Sequence, residues 1–454
     1  MEALDSKLKN SRVLLTTGIL LFTFFLIFIL LFLKVNRDVI YPNIIVQGIN
    51  VGNLNKEQAK NLLKENFDHV LGEKRIAFTY KDERWEFAYD EFESRYEYDK
   101  AIQEAFEFGK DANLLRRMKA YIGLIFNGKE FPLTISIEDE LLQHILEEIG
   151  ESIYRPSIDA QIKHVSGGFE ITPEVCGERL QRDRANRWIR QALEAGREGN
   201  MELPVEMISP RITEEILNSI DSALASFSTS YNPNAKERAE NLKIASSMIN
   251  GVVLLPGDVF STYEFIGPIT EANGYKNAPV IVDGDLEPGI GGGVCQIATT
   301  LFNAAVRADL EIVERRHHSL PVGYVPLGHD ATIAGDWIDF KFKNNKDYPL
   351  YIKMYLNGDR VVANIFGNHQ DADKEIGLET EIISKIVPSI KYRKDPSKYT
   401  DYKKIERQAR TGYKVNVYKI IYENGVETHR ELLHYDYYRP VDGIIVVGTK
   451  DRRE

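Results

Sequence analysis

The stretch GIGGGVCQIATTLFNAA (289–305) sets Cys295, one of two cysteines in the chain, behind three glycines and at the start of an apolar, helically spaced run. The thiolate, not the thiol, is the nucleophile, and a free cysteine is only a few per cent ionised at neutral pH. A helix N-terminus lowers its pKa, because unpaired N–H groups and the helix dipole favour negative charge there. Gly291, Gly292 and Gly293 allow a substrate backbone to approach closely and leave N–H groups free to hold an oxyanion. The pattern therefore suits acyl transfer through a thioester.

Other readings compete. Glycine turns ahead of helices also bind phosphate, but GGGVCQ lacks the lysine of a P-loop. A lone cysteine is often a small packing residue. A Cys176–Cys295 disulfide would join two predicted domains. Spacing alone leaves nucleophile, packing and disulfide open.

A nucleophilic cysteine needs a base, and histidine is the usual one. His317, His318 and His329 lie in ERRHHSLPVGYVPLGHDATIAGDWIDF, with Asp330, Asp336 and Asp339 available to orient an imidazole. On an extended backbone at most one of His317 and His318 faces the site. Arg315 and Arg316 are candidates for a substrate carboxylate or for a solvated basic face.

The elements that must position these residues follow from the rest of the pattern. Residues 13–33 form an uncharged 21-residue run between Arg12 and Lys34. As a helix it would span about 32 Å, enough for a hydrocarbon core of about 30 Å. It is too long for a signal-peptide core and lacks a small-x-small cleavage site, so it reads as an uncleaved anchor. Lys7, Lys9 and Arg12 before it against Lys34 and Arg37 after it keep the N-terminus in the cytoplasm by a slight margin. The remainder is globular in composition, with 43% hydrophobic and 10% aromatic residues, and its length calls for several domains. A net charge of −11 and no basic stripe argue against nucleic acid. Two cysteines cannot make a disulfide scaffold, and nine scattered histidines form no zinc pattern.

The predicted architecture is multidomain α+β: one N-terminal transmembrane helix, two α+β domains and a small all-β C-terminal module. The boundaries are a cytoplasmic tail at 1–12, the membrane helix at 13–34, and α+β domains at 40–212 and 213–370. The β module takes 376–450. Within 40–212, Asn53 or Asn55 caps a helix carrying Ala59, Leu62, Leu63 and Phe67. Two units there read hairpin, connector, helix, which suggests an internal duplication. Helical patterns lie between them at 111–126 and 138–153. In the next domain a helix spans 235–251, LLPGDVFSTYEFIGP reads as strand and turn, and LEIVERRHHS, DWIDFKFKN, YPLYIKMYL and RVVANIF read as strands. An Asn424–Gly425 turn marks a hairpin in the last module.

Several ordered motifs carry a family resemblance. SFSTSYNPNAKERAENLKIASSMINGVVLLPGDVFS, GGGVCQIATTLFNAA, RHHSLPVGYVPLGHDATI and DFKFKNN together resemble the VanW domain over 220–370. The region before it, with NVGNLNKEQA and EITPEVCGERL, resembles the peptidoglycan-binding domain that often precedes VanW. The end, DYYRPVDGIIVVGTK, is similar to a G5 domain. The resemblance implies a Gram-positive-type cell-wall protein with L,D-transpeptidase chemistry; no cofactor or metal is expected. Cys295 is then the nucleophile, His318 the base and Asp330 its orienter. Gly292, Gly293, Gln296, Tyr324 and Arg316 fall to the substrate and oxyanion side. The implied partners are peptidoglycan stem peptides, with glycan as a further contact, and the lipid bilayer through 13–33. The C-terminal domains would lie outside the cell membrane, in the wall. Two departures stand out: His329 replaces the arginine common before the family's DAT, and His317 is an added histidine. Two alternatives use the same residues differently: a non-catalytic wall-binding scaffold with Cys295 packed, or an L,D-carboxypeptidase or endopeptidase resolving the thioester with water.

Overall fold

The computed structural model describes residues 2–282 and 285–451; Met1 of the predicted 1–12 tail lies outside the described residues. The chain is mixed α+β with an apolar N-terminal helix, Glu2–Val35, and an all-β C-terminal module. That helix runs through both the expected tail and the expected span. Over Leu14–Val35 it is long and apolar enough to cross a membrane, and most of its apolar side chains there are exposed.

The chain divides into two compact units, one holding residues up to Ser157 with Cys176–Ser209, the other Ile158–Val175 with Pro210 onward. In the first unit, Asn55 rather than Asn53 caps the helix Lys56–Leu71, with Gln58 closing a capping box. The strand Arg75–Tyr80 pairs with Glu83–Ala88 antiparallel and with Gly199–Glu202 parallel. Helices Leu114–Asn127 and Asp139–Ile153 fall where the periodicity placed them. A hairpin, a short strand and a helix follow in that order at 75–107, with a 3-10 turn before the short strand, and at 161–194. The second hairpin, Gln161–Val165 with Gly168–Thr172, packs its Ile162, Phe169 and Ile171 against Leu217, Ile220, Tyr351 and Phe366 within the second unit.

The second unit carries Cys295. β1 (Ser222–Ser230), α1 (Lys236–Ile249), β2 (Val252–Leu254), β3 (Val259–Ser261), β4 (Asn277–Val282) and β5 (Asp285–Ile290) lead to α2 (Val294–Arg307). After it come β6 (Glu311–Glu314), β7 (Lys341–Lys343), β8 (Leu350–Asn357) and β9 (Arg360–Gly367). A four-stranded antiparallel sheet runs β1-β9-β8-β2, and a second sheet runs β3-β7-β6. Two expectations shift. The strand in LEIVERRHHS ends at Glu314, leaving both histidines in a loop, and STYEFI turns into the short helix Thr262–Ile266, capped by Ser261.

α2 is buried on nearly every face, from Val294 to Val306, so it is a core helix rather than a surface one. Its polar residues are all satisfied internally. Thr300 bonds Thr229 on β1, and Thr299 both donates to the Ala331 carbonyl and accepts from its N–H. Asn303 donates to the His329 carbonyl. These bonds fasten the 329–333 segment along the helix, since a buried donor without a partner would cost about 1–3 kcal/mol.

The C-terminal module contains β10 (Glu375–Ile386), β11 (Ile390–Tyr399), β12 (Lys403–Arg407), β13 (Gly412–Glu423), β14 (Val426–Tyr438) and β15 (Gly443–Lys450). One sheet is β10-β13-β14 and the other β11-β15-β12. Asn424 and Gly425 both take positive φ, as the tight turn between β13 and β14 requires.

Candidate active site

The turn before α2 is built from glycine for two separate reasons. Gly293, the helix N-cap, has φ 107°, outside the range of ordinary side chains. Gly292 instead lies against β4, where a Cβ would come within 2.5 Å of the Ala278 carbonyl oxygen and 2.6 Å of that of Pro279. Buried Asn241 on α1 locks this turn. It donates to the carbonyls of Gly292 (3.1 Å) and Lys276 (3.0 Å) and accepts from the Lys276 N–H (2.7 Å).

Cys295 then falls in the first turn of α2, half-buried, with its sulfur 3.4 Å from both the Ile333 carbonyl and the Thr332 hydroxyl. The backbone N–H groups of Gly293 and Cys295 make no hydrogen bond among the described residues. Both residues line a cleft of about 750 Å³, with Tyr263, Ile269, Val280, Val322 and Tyr324 among its walls.

His318 is the histidine that lines the cleft with the thiol. Its backbone N–H and Nδ1 both donate to Asp330 Oδ2, at 2.6 and 2.7 Å, which leaves Nε2 for the sulfur. Burial works against charge on every member, yet the three groups overcome it together. The thiol is held below its ordinary value, chiefly by the imidazole. His318 is raised to about 9 by Asp330 and Cys295, and Asp330 is lowered to about 2 by His318 and Arg315. Both shifts favour a thiolate–imidazolium pair backed by a carboxylate, the charge state a cysteine nucleophile needs.

The other sequence candidates separate clearly. His317 donates through Nδ1 to the His318 carbonyl (2.6 Å) and its ring lies 4.9 Å from that of Tyr438. His329 is buried away from the sulfur and lowered to about 4 by burial and by Arg307. Asp339 is occupied by Ser261 and the N–H groups of Tyr263 and Phe340. Tyr324 lines the cleft beside Cys295, its hydroxyl proton held tightly by burial and by the sulfur's charge. Gln296 borders the cleft, but its amide donates to Thr229 and Ser230 and accepts from Arg238, all at 2.8–2.9 Å. Arg316 lines a different cavity, of about 530 Å³, and not the Cys295 cleft. Arg315 is buried and spent on structure, donating to the carbonyls of Asp330 and Gly328 and to Asp436. Among the described residues both cysteines are free.

Two residues at the site escaped the sequence reading. Arg238 on α1 lines the cleft, donates to Gln296 Oε1 at 2.8 Å, and has no carboxylate partner among the described residues. Tyr438 on β14 donates its hydroxyl to Asp330 Oδ1 and accepts from the Gly328 N–H at 2.9 Å. Nothing in the local sequence of either partner announces that contact.

An α+β chain with an apolar N-terminal helix, a Cys–His–Asp cluster in its central part and a terminal β module defines the class of protein. Residues 237–366 match the VanW-like protein family, 85–208 the family described as "Putative peptidoglycan binding domain", and 379–450 the G5 domain. An uncharacterized protein of Bacillus subtilis, YoaR, is 31% identical over 52% of this chain and 78% of its own length. The vancomycin B-type resistance protein VanW of Enterococcus faecalis is 28% identical over 44% of this chain and 73% of its own. Among solved structures, the G5 domain of an IgA1 protease is 24% identical, covering 17% of this chain and 94% of that one, with a TM-score of 0.14. The chain belongs to the VanW family, as a cell-wall protein with a peptidoglycan-binding-type domain before the VanW domain and a G5 domain after it.

Proposed function

We propose that this protein is a membrane-anchored cysteine acyltransferase that forms 3→3 cross-links between peptidoglycan stem peptides. The observation that carries the reading is a cleft lined by both Cys295 and His318, with the His318 ring held by Asp330 at 2.7 Å. The Cys295 thiolate attacks the carbonyl joining the L-centre of a stem's third residue to its terminal D-alanine. The developing oxyanion takes the free N–H groups of Gly293 and Cys295. The imidazolium of His318 protonates the departing D-alanine nitrogen as the C–N bond breaks, leaving a thioester and a neutral imidazole. An amine on a neighbouring stem then attacks the thioester while His318 accepts its proton. The new amide forms, the C–S bond breaks, and the thiolate–imidazolium pair returns.

The peptidoglycan-binding-type domain supports this choice of substrate, and it would raise the local concentration of stem peptides around the cleft. The exposed apolar run over Leu14–Val35 supports an anchor with the domains outside the membrane. Muropeptide analysis of cells carrying Cys295→Ala in place of the wild type tests the proposal. A drop in 3→3 dimers is expected; an unchanged dimer fraction overturns it.

A further inference from the structure

The segment that presents Asp330 is held from two sides, and one of those sides is the C-terminal β module. Thr380 on β10 donates to the Leu327 carbonyl at 2.6 Å. Val417 on β13 packs so closely on Gly328, whose φ is +81°, that a Cβ there would come within 2.2 Å of its methyl carbon. His434 on β14 donates to the Gly328 carbonyl at 2.9 Å, beside Arg315 at 3.0 Å. Asp436 anchors the other arm of Arg315 at 2.6 Å, and that guanidinium in turn donates to the Asp330 carbonyl.

Tyr438 completes the set and, among the described residues, is the one residue of the module that bonds the Asp330 carboxylate. It is fully buried. The two oxygens of Asp330 are divided: Oδ2 takes both donors of His318, and Oδ1 takes the Tyr438 hydroxyl, with Arg315 Nη2 farther off at 3.7 Å. Without the hydroxyl, Oδ1 keeps a buried charge with no close donor, and rotation toward Arg315 becomes favourable. That rotation pulls Oδ2 off His318. An acceptor left short of its donor in a buried site is strongly disfavoured, so the carboxylate would not stay put.

We propose that Tyr438 is a positioning residue for the Cys295–His318–Asp330 site, and that the C-terminal β module is thereby part of the active site rather than a separate wall-binding appendage. The inference rests on the acyltransferase reading of Cys295. It implies that the module cannot be removed or exchanged without loss of thiolate at Cys295, even where the catalytic residues are untouched.

The test is the pH dependence of Cys295 alkylation by iodoacetamide in the full-length protein, on a Cys176→Ser background so that a single thiol reacts. The wild-type site is expected to titrate below the ordinary thiol value of about 8.5. Tyr438→Phe should raise the midpoint by about one pH unit, lowering the alkylation rate below the midpoint about tenfold. Tyr418→Phe, whose hydroxyl bonds Glu381 in the same module, should leave the midpoint where it was. Combining Tyr438→Phe with Asp330→Asn should shift the midpoint no further than Asp330→Asn alone, which separates action through Asp330 from a general loosening of the fold. A depressed wild-type midpoint that Tyr438→Phe does not move, or additive shifts in the double variant, overturns the positioning role and leaves the acyltransferase reading standing. A wild-type thiol with an ordinary midpoint overturns both.

Discussion

Asp330 receives the backbone N–H and the Nδ1 of His318 on a single oxygen, at 2.6 and 2.7 Å. The same carboxylate therefore sets the ring's tautomer, its rotation and its charge. Asp330→Asn keeps the shape but loses the anion, and an amide nitrogen turned toward Nδ1 would repel its proton. Turnover is expected to fall about 100-fold or more, in the range general acid–base groups contribute. Steady-state release of D-alanine from a tetrapeptide stem measures it; a variant within a few-fold of wild type would remove Asp330 from the mechanism.

The charge state also dictates a pH profile. The proposed reaction needs the sulfur deprotonated and the imidazole protonated. As pH falls, the thiolate takes up a proton and the rate is lost on the acid side. As pH rises through about 9, His318 loses the proton it donates to the leaving amine. A bell-shaped kcat/KM is expected, with its alkaline limb near that value. In Asp330→Asn the alkaline limb should move down, because Asp330 is a leading cause of the raised imidazole. A flat profile from pH 5 to 10 contradicts the pair.

Gly292 makes a separate, structural prediction. Its Cβ position is already filled by two backbone oxygens of β4, which cannot rotate away as a side chain could. Gly292→Ala should destabilise the fold by about 1–3 kcal/mol through overpacking and displace the first turn of α2. Thermal melting measures the first effect and the Cys295 alkylation rate the second. Unchanged values for both would mean that the turn is looser than its contacts indicate.

Much of this was legible in the sequence because it rests on local patterns. The apolar run at 13–33, the helix over 236–249, the glycines before Cys295 and the Asn424–Gly425 hairpin all depend on neighbours within a few residues. Cys295, His318 and Asp330 were candidates by residue type and motif resemblance, although spacing alone did not choose among three histidines. The choice comes from the loop after Glu314, where the chain leaves the strand and turns His318 inward and His317 toward Tyr438. Arg316 went to the wrong cavity for the same reason: once the strand ends, alternation no longer tells which side chain faces the cleft. Tyr438 was out of reach altogether. Its partner lies 108 positions away, and only the packing of β14 across the Gly328 loop brings them together.

The central claim is a thioester on Cys295, and intact-protein mass spectrometry reads it directly. Mixed with a disaccharide-tetrapeptide and no acceptor amine, the wild-type protein is expected to gain the mass of the donor less D-alanine, in a hydroxylamine-labile adduct mapped to Cys295. Addition of an acceptor stem should discharge the adduct into a 3→3 dimer, whereas discharge into free tripeptide alone would mark a hydrolase. Cys295→Ala should show neither adduct nor D-alanine release. Release of D-alanine by Cys295→Ala at the wild-type rate would contradict the account.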